Sequence, residues 1–479
     1  MRSGVFIAGQ WRQGGGEAFA ARDPMTGEAV WEGAAASGSD VAEAVASARA
    51  AFPFWSHRPP GARAEILKAF QDAVRRSRDA LAESISRATG KPLWESKQEV
   101  DTLAAKVDNS LAAQEERAAR KEMQFADHRG VLRHRPHGVL AVLGPFNLPA
   151  HLPHSHIIPA LLAGNAVVFK PSECAPGVAE FCAELWKEAG LPPGVLNVVQ
   201  GGRQTGEALA RHADIDGLLF TGSYRAGLAL SRIFAETPGK ILALELGGNN
   251  PLVVWETDDV EKAAEHIVQS AYLTSGQRCV CARRLIVSDG EEGEAVIAAL
   301  RARIARITAG AWNDNPEPFM GPLIHAAAAE GMLAAQEKLV ASGAEPLIRM
   351  ERSPRSPALL SPGLLDSTNA SSIPDEEFFG PLLQIRRVPD FETALAEANN
   401  TRFGLAAGLI SARRDLWERF LGTIRAGVAN WNRPLTGASG KLPFGGVGQS
   451  GNHRPSAWSA ADYCQFPVAS LEADMDPEE

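Results

Sequence analysis

What most constrains this chain is an alternation, between residues 138 and 245, of short β-branched runs with longer helix-forming ones. Runs at 139–143, 167–169, 195–199, 218–220 and 241–245 read as strands, and the stretches at 149–163, 177–189, 205–211 and 224–235 between them read as helices. Strands that recur with a helix in between pair in parallel, because the helix carries the chain back across the sheet. The pattern predicts a doubly wound, nucleotide-binding α/β domain. A second α/β series follows Gly247-Gly248, with elements at 252–254, 258–272, 285–287, 294–307, 381–388, 391–399, 405–410 and 428–431. The fold class expected is therefore α/β, with two doubly wound Rossmann-type domains.

Ahead of these series, a helix is expected to start near Asp40, with Glu43 completing a capping box, and to stop before Pro53. A longer helical run over 62–88 places Ile66, Phe70 and Val74 on one face and ends at Gly90-Lys91-Pro92. The basic stretch 129–137 reads as a protruding hairpin, and the acidic end 472–479 as a solvated tail. No internal repeat is visible. A chain of 479 residues exceeds one hydrophobic core, so two or three domains are expected.

With 48 Lys+Arg against 57 Asp+Glu, the net charge of −9 argues against a nucleic-acid face, which needs clustered cations. Local basic pockets for small anions remain compatible with it. The best apolar run, 157–169, is broken by Pro159, Gly164 and Asn165, short of a membrane span. Residues 1–16 carry no signal-peptide core, and five cysteines do not make a disulfide framework. A cytoplasmic enzyme with no membrane partner is the expectation.

Four segments carry chemistry. Ser275-Gly276-Gln277-Arg278-Cys279-Val280-Cys281 puts a thiol between a helix end and a strand, beside a cation that lowers a thiol pKa. The alternative is a buried Cys acting as a small hydrophobe; a metal site finds no second Cys pair at ligand spacing. Leu244-Glu245-Leu246-Gly247-Gly248 ends a strand with a carboxylate among apolar neighbours, where desolvation raises its pKa toward that of a general base. Otherwise Glu245 is a surface residue closing a strand. Phe220-Thr221-Gly222-Ser223-Tyr224-Arg225-Ala226-Gly227 offers backbone amides to a phosphate, and Phe169-Lys170-Pro171-Ser172-Glu173 offers Lys170 and Glu173 to ribose hydroxyls or phosphate. Asn147, in Gly144-Pro145-Phe146-Asn147-Leu148-Pro149, either donates to an oxyanion or caps the helix that Pro149 begins. His151, His154 and His156 do not share one helical face, so no metal is expected.

Together the motifs GPFNLP, FKPSE, FTGS with Gly227, LELGG, GQRC, EEFFGP and LPFGGVGQSG resemble the NAD(P)-dependent aldehyde dehydrogenase superfamily over nearly the whole chain. LELGGNNP, GQRCVCARR, NWNRPLTGASG and SGNHRPSAWSAADYC are most similar to its branch acting on N-succinylglutamate 5-semialdehyde in arginine degradation. The resemblance implies Cys279 as nucleophile, Glu245 as base and Asn147 in the oxyanion hole. It implies NAD as cofactor. Gly222, Ser223, Tyr224, Arg225, Ala226, Gly227 and Leu246 would lie by its pyrophosphate, Lys170 and Glu173 by the adenine ribose, and Glu377 and Phe379 by the nicotinamide ribose. Phe444 would line the substrate tunnel. From guanidinium chemistry, Arg278 and Arg454 are candidates to grip substrate carboxylates; the alternative is that Arg278 only tunes the thiolate and Arg454 pairs with a structural carboxylate such as Asp462.

The implied architecture is an NAD-binding domain from 1–117 and 138–247, a catalytic domain over 248–450, and a small β oligomerisation arm from 118–137 and 451–479. A homodimer or dimer of dimers follows, with a small-molecule aldehyde as the partner in chemistry. The rival readings are a dehydrogenase for succinate semialdehyde or another ω-semialdehyde, a cofactor-independent thiol esterase, and a non-catalytic protein on the same fold. The cofactor motifs speak against the esterase, and the combination of Cys279, Glu245 and Asn147 against the non-catalytic protein. A CoA-acylating enzyme would be expected to lack Glu245.

Overall fold

Val139–Leu143 is buried along its whole length, with Leu140 and Val142 in the core on one side of the sheet and Val139, Ala141 and Leu143 on the other. A strand covered on both faces reads as a continuous apolar run, which is why this one was legible. In the computed structural model, which describes residues 4–452 and 456–473, it is an interior strand, third of seven, in one sheet. The order is Ile241–Leu246, Gly217–Gly222, Val139–Leu143, Ala166–Lys170, Leu196–Val198, Val5–Ile7, Gln10–Arg12. The first five run parallel, and the two N-terminal strands add antiparallel at one edge.

The chain winds from Val139–Leu143 in one direction and returns to continue from Gly217–Gly222 in the other. Between those two strands lies the switch point, outside whose carboxyl ends doubly wound sheets bind their ligands. A second seven-stranded sheet repeats the scheme: Glu345–Ile348, Gly363–Asp366, Leu382–Val388, Ala282–Ser288, Asn250–Val254, Ala406–Ile410, Val428–Trp431, all parallel but the first. Lys121–Gln124, Arg129–Pro136 and Gln465–Glu472 form a separate three-stranded antiparallel sheet. The expected hairpin thus gains a third strand from the far end of the chain.

Several local expectations are corrected. The first helix is Gly38–His57, capped by Ser37 with Asp40 as the reciprocal partner, and it runs through Pro53. The 62–88 run is two helices, Pro60–Arg76 and Arg78–Thr89, the second closed by Gly90 at φ 76°. Glu472, expected in a solvated tail, pairs with Arg129 and Arg133 across the small sheet. Residues 474–479 lie outside the described residues. A 25-residue helix, Leu93–Arg117, had no counterpart in the sequence reading, and neither had helices Ala326–Ala341 and Arg414–Thr423. Among the described residues no helix is long and apolar enough to cross a membrane.

Candidate active site

One cavity of about 1650 Å³ opens at the switch point of the first sheet and reaches the loop that carries Cys279. Its walls include Asn147, Glu245 and Cys279, which come from three separate parts of the chain. Lys170, Glu173, Gly222, Ser223, Arg225, Ala226, Leu246, Arg278, Glu377, Phe379 and Phe444 line it as well. Two predicted residues do not. Tyr224 sets its ring edge-on to Phe403, and Gly227 packs so tightly on Leu246 that a Cβ would stand 2.6 Å from its side chain. Both therefore serve to seat the Tyr224–Phe234 helix on the sheet. Arg454 lies outside the described residues.

The loop before Cys279 is conformationally unusual. Thr274 and Ser275 both have φ 54°, and Gly276 follows at φ 71°. Left-handed backbone is costly for a β-branched residue, so surrounding contacts must hold it. Thr274 gives its hydroxyl to Glu95 and accepts from Arg278 Nε at 2.7 Å; Ser275 donates to the Gly321 carbonyl at 2.6 Å. A Cβ on Gly276 would stand 2.0 Å from the Gly380 carbonyl oxygen, so only glycine fits there. Beyond the loop, Asn250 donates to the carbonyls of Cys279 and Cys281 at 2.7 and 2.9 Å, fixing the nucleophile's own backbone.

Asn147 is buried, and its side-chain amide donates to the Gln277 carbonyl at 2.9 Å, two residues from the thiol. It does not cap the following helix, His151–Ala163, whose N-cap is Ala150. Its own carbonyl accepts from Lys91 at 3.0 Å, and Lys91 is paired with Glu99 in the interior. Glu99 also accepts from the amides of Ala150 and His151 at 2.9 and 3.0 Å. Lys91, Glu95, Glu99 and Asn250 thus frame the site, and the sequence reading assigned none of them. The one available signal, Gly90-Lys91-Pro92, had been read as a helix stop alone.

Charge at the site departs from expectation. Arg278 is engaged by Glu95 at 2.6 Å and by Thr274. Burial, followed by the nearby carboxylates of Glu377 and Glu245, pushes the Cys279 thiol up to about 12, where a lowered pKa was expected. Glu245 is 4% exposed, neither carboxylate oxygen has a hydrogen-bond partner among the described residues, and burial holds its pKa well above the usual range. That is the behaviour expected of it from sequence, with a stronger cause. Burial likewise raises Glu377 to about 7, against the pull of Arg283. Arg283 is fully buried and stacks its guanidinium 5.5 Å from the centre of the Phe379 ring.

At the other end of the cavity Lys170 is buried, donates to the Gly201 carbonyl at 2.7 Å, and lies 3.5 Å from the more exposed Glu173. The N-terminus of Tyr224–Phe234, capped by Ser223, faces the same space. His154 and His156 are interior, His154 bonding the Ala150 carbonyl and Trp186 and His156 bonding Tyr463 and Thr221, while half-buried His151 lines the cavity.

Comparison with known proteins agrees with this geometry. Residues 11–468 match the model of the aldehyde dehydrogenase family. An N-succinylglutamate 5-semialdehyde dehydrogenase of Paraburkholderia xenovorans is 53% identical over 98% of this chain and 97% of its own. One of that name from Burkholderia mallei is 54% identical over 98% and 96%. The crystal structure of an NAD-dependent aldehyde dehydrogenase from Sinorhizobium meliloti superimposes with a TM-score of 0.92 at 29% identity, over 99% of this chain and 95% of that one. With the two wound sheets and the shared cavity in place, these matches establish that the chain belongs to the aldehyde dehydrogenase family.

Proposed function

We propose that this enzyme oxidises N-succinyl-L-glutamate 5-semialdehyde to N-succinyl-L-glutamate with NAD, as a step of arginine degradation. The observation that carries the reading is the match, along nearly the whole chain, to relatives bearing that name. Convergence of Cys279, Glu245 and Asn147 on one cavity supports the chemistry.

The cavity suits a nicotinamide dinucleotide. The helix N-terminus at Ser223 offers amides to a pyrophosphate, Lys170 and Glu173 offer partners to ribose hydroxyls, and a buried Glu377 oxygen lacks a hydrogen bond among the described residues. When bound, that cofactor supplies a hydride acceptor at nicotinamide C4. Glu173 favours the unphosphorylated form, since a carboxylate accepts from hydroxyls and repels a 2′-phosphate.

The chain's own residues perform the remaining steps. The Cys279 thiol gives its proton to water in the cavity, and its sulfur bonds to the aldehyde carbon as the C=O π bond breaks, turning the carbonyl oxygen into an alkoxide. Asn147 offers its side-chain N–H to that oxygen, together with the backbone N–H of Cys279. Departure of hydride leaves a thioester on Cys279. Glu245 then takes a proton from water, the hydroxide adds to the thioester carbonyl, and the C–S bond breaks to release the acid and the thiolate. A carboxylate made basic by burial is suited to that proton transfer at neutral pH.

Exposed Met123, Phe125, Phe466 and Leu471 on the three-stranded sheet support its use as a homo-oligomerisation arm, in a cytoplasmic dimer or dimer of dimers. The function is tested by kcat/KM with NAD across N-succinylglutamate, succinate and glutarate semialdehydes and propanal. The succinylated aldehyde should give the highest value. A higher value for one of the others would transfer the assignment to it.

A further inference from the structure

The helix Leu93–Arg117 lays one face along the cavity, through Gln98, Thr102, Ala105, Lys106 and Asn109. Lys106 is 5% exposed, yet among the described residues no hydrogen bond or ion pair reaches its ammonium. Isolated cations in protein interiors are rare, because water is lost and nothing replaces it.

The neighbouring acids are already committed. Glu95 binds Arg278 and Thr274, and Glu99 binds Lys91 and two backbone amides. Asp101 is held by two donors of Arg78 at 2.6 Å, and Asp108 accepts from Gln71. The carboxylates nearest along this helix are thus all engaged elsewhere, and none of them reaches Lys106. Lys91 and Arg278, by contrast, each hold a carboxylate, Glu99 and Glu95.

His151 is beside it. Its Nδ1 is buried with no hydrogen-bond partner among the described residues, and the residue lines the same cavity. Burial, then the charge of Lys106, keeps the ring neutral, so it presents one N–H and one lone pair. Burial draws Lys106 down to about 8, which leaves it mostly charged at neutral pH.

We propose that Lys106, with the His151 ring next to it, forms the subsite that receives a carboxylate of the aldehyde substrate. The ligand, and not the protein, supplies the missing counter-charge, which explains why the ammonium is kept unpaired. The inference rests on the reading that the substrate is an anionic semialdehyde, and it gives Lys106 the role that sequence had offered to Arg278. Arg278 is unsuited to it, because its guanidinium is taken up by Glu95 and Thr274.

The test compares Lys106→Met with the parent enzyme on N-succinylglutamate semialdehyde, succinate semialdehyde and propanal, at saturating NAD. Loss of a buried charged hydrogen bond should raise KM for the carboxylated aldehydes by roughly 30-fold, with kcat and the propanal reaction changed by less than about threefold. Lys106→Arg should recover part of the loss. Equilibrium binding of the product N-succinylglutamate should weaken in parallel. An equal loss on propanal, or none on the charged aldehydes, would overturn the proposal. So would failure of both Lys106→Met and Lys106→Gln to fold, since that would place the ammonium in the scaffold. Failure of the substrate assignment looks different: the parent enzyme would favour another carboxylated aldehyde, while Lys106→Met would still discriminate by charge.

Discussion

Arg278 immediately precedes Cys279, yet its guanidinium grips Glu95 at 2.6 Å, with Nε on the Thr274 hydroxyl at 2.7 Å. The cation in the GQRC motif therefore braces the left-handed turn at Thr274 and Ser275 and does not serve the sulfur directly. Glu95 is fully buried within this pair.

Removing the arginine should accordingly damage the fold first. Arg278→Met leaves the Glu95 carboxylate buried without a counter-charge, a change worth about 3 kcal/mol or more. Thermal unfolding should show a large drop in Tm, and Glu95→Gln added to Arg278→Met should restore much of it. An unchanged Tm in the single variant would mean that the pair contributes nothing to stability.

Glu245 should oppose stability in a pH-dependent way. Its folded pKa is raised by burial, so below the unfolded value of about 4.3 it is neutral in both states and costs nothing. As pH rises from there, the unfolded chain releases the proton while the folded one retains it, and stability is lost until the folded pKa is passed. Glu245→Gln should therefore melt higher than the parent at pH 8, with the difference narrowing toward pH 4.5. A constant difference across that range would contradict the burial effect.

Glu173 sets the cofactor preference in this account. Glu173→Gln should lower the ratio of kcat/KM for NAD over NADP by roughly fivefold, the size of an exposed charge contact. Steady-state rates with both cofactors measure it directly. An unaltered ratio would remove Glu173 from adenine ribose recognition.

Gly247 and Glu377 are in close register: a Cβ at Gly247 would stand 1.7 Å from Glu377 Oε2. Gly247→Ala must displace that carboxylate, and misplacement near 1 Å at a reacting centre costs on the order of a hundredfold in rate. Single-turnover NADH formation should fall accordingly, while Gly247→Ala combined with Glu377→Ala should be no slower than Glu377→Ala alone. A further loss in the double variant would show that the methyl group disturbs something other than Glu377.

What could be read from sequence follows from how local its cause is. The run at 139–143 is apolar because both faces of its strand are covered, and Glu245 is desolvated by the strand that carries it. The helix Leu93–Arg117 escaped notice because it buries Glu95, Glu99 and Lys106, which interrupt the apolar stripe that marks an amphipathic helix. The pairing of Arg278 was hidden for a different reason: its partner Glu95 is 183 residues away. Sequence proximity to Cys279 suggested an electrostatic role that tertiary pairing removes. The first helix was misjudged by three residues, since Asp40 resembles a cap but serves as the partner of Ser37.

The central claim is that Cys279 carries the oxidised substrate as a thioester until Glu245 activates water. Replacing Glu245 also removes a negative charge that holds the thiol up, so acylation should survive the change. The most direct measurement mixes Glu245→Gln enzyme rapidly with NAD and N-succinylglutamate semialdehyde, follows NADH, and identifies the modified peptide by mass. The account predicts a burst of about one NADH per site, negligible steady turnover, and an N-succinylglutamyl adduct on Cys279. Undiminished turnover, or an adduct on any other residue, would contradict it.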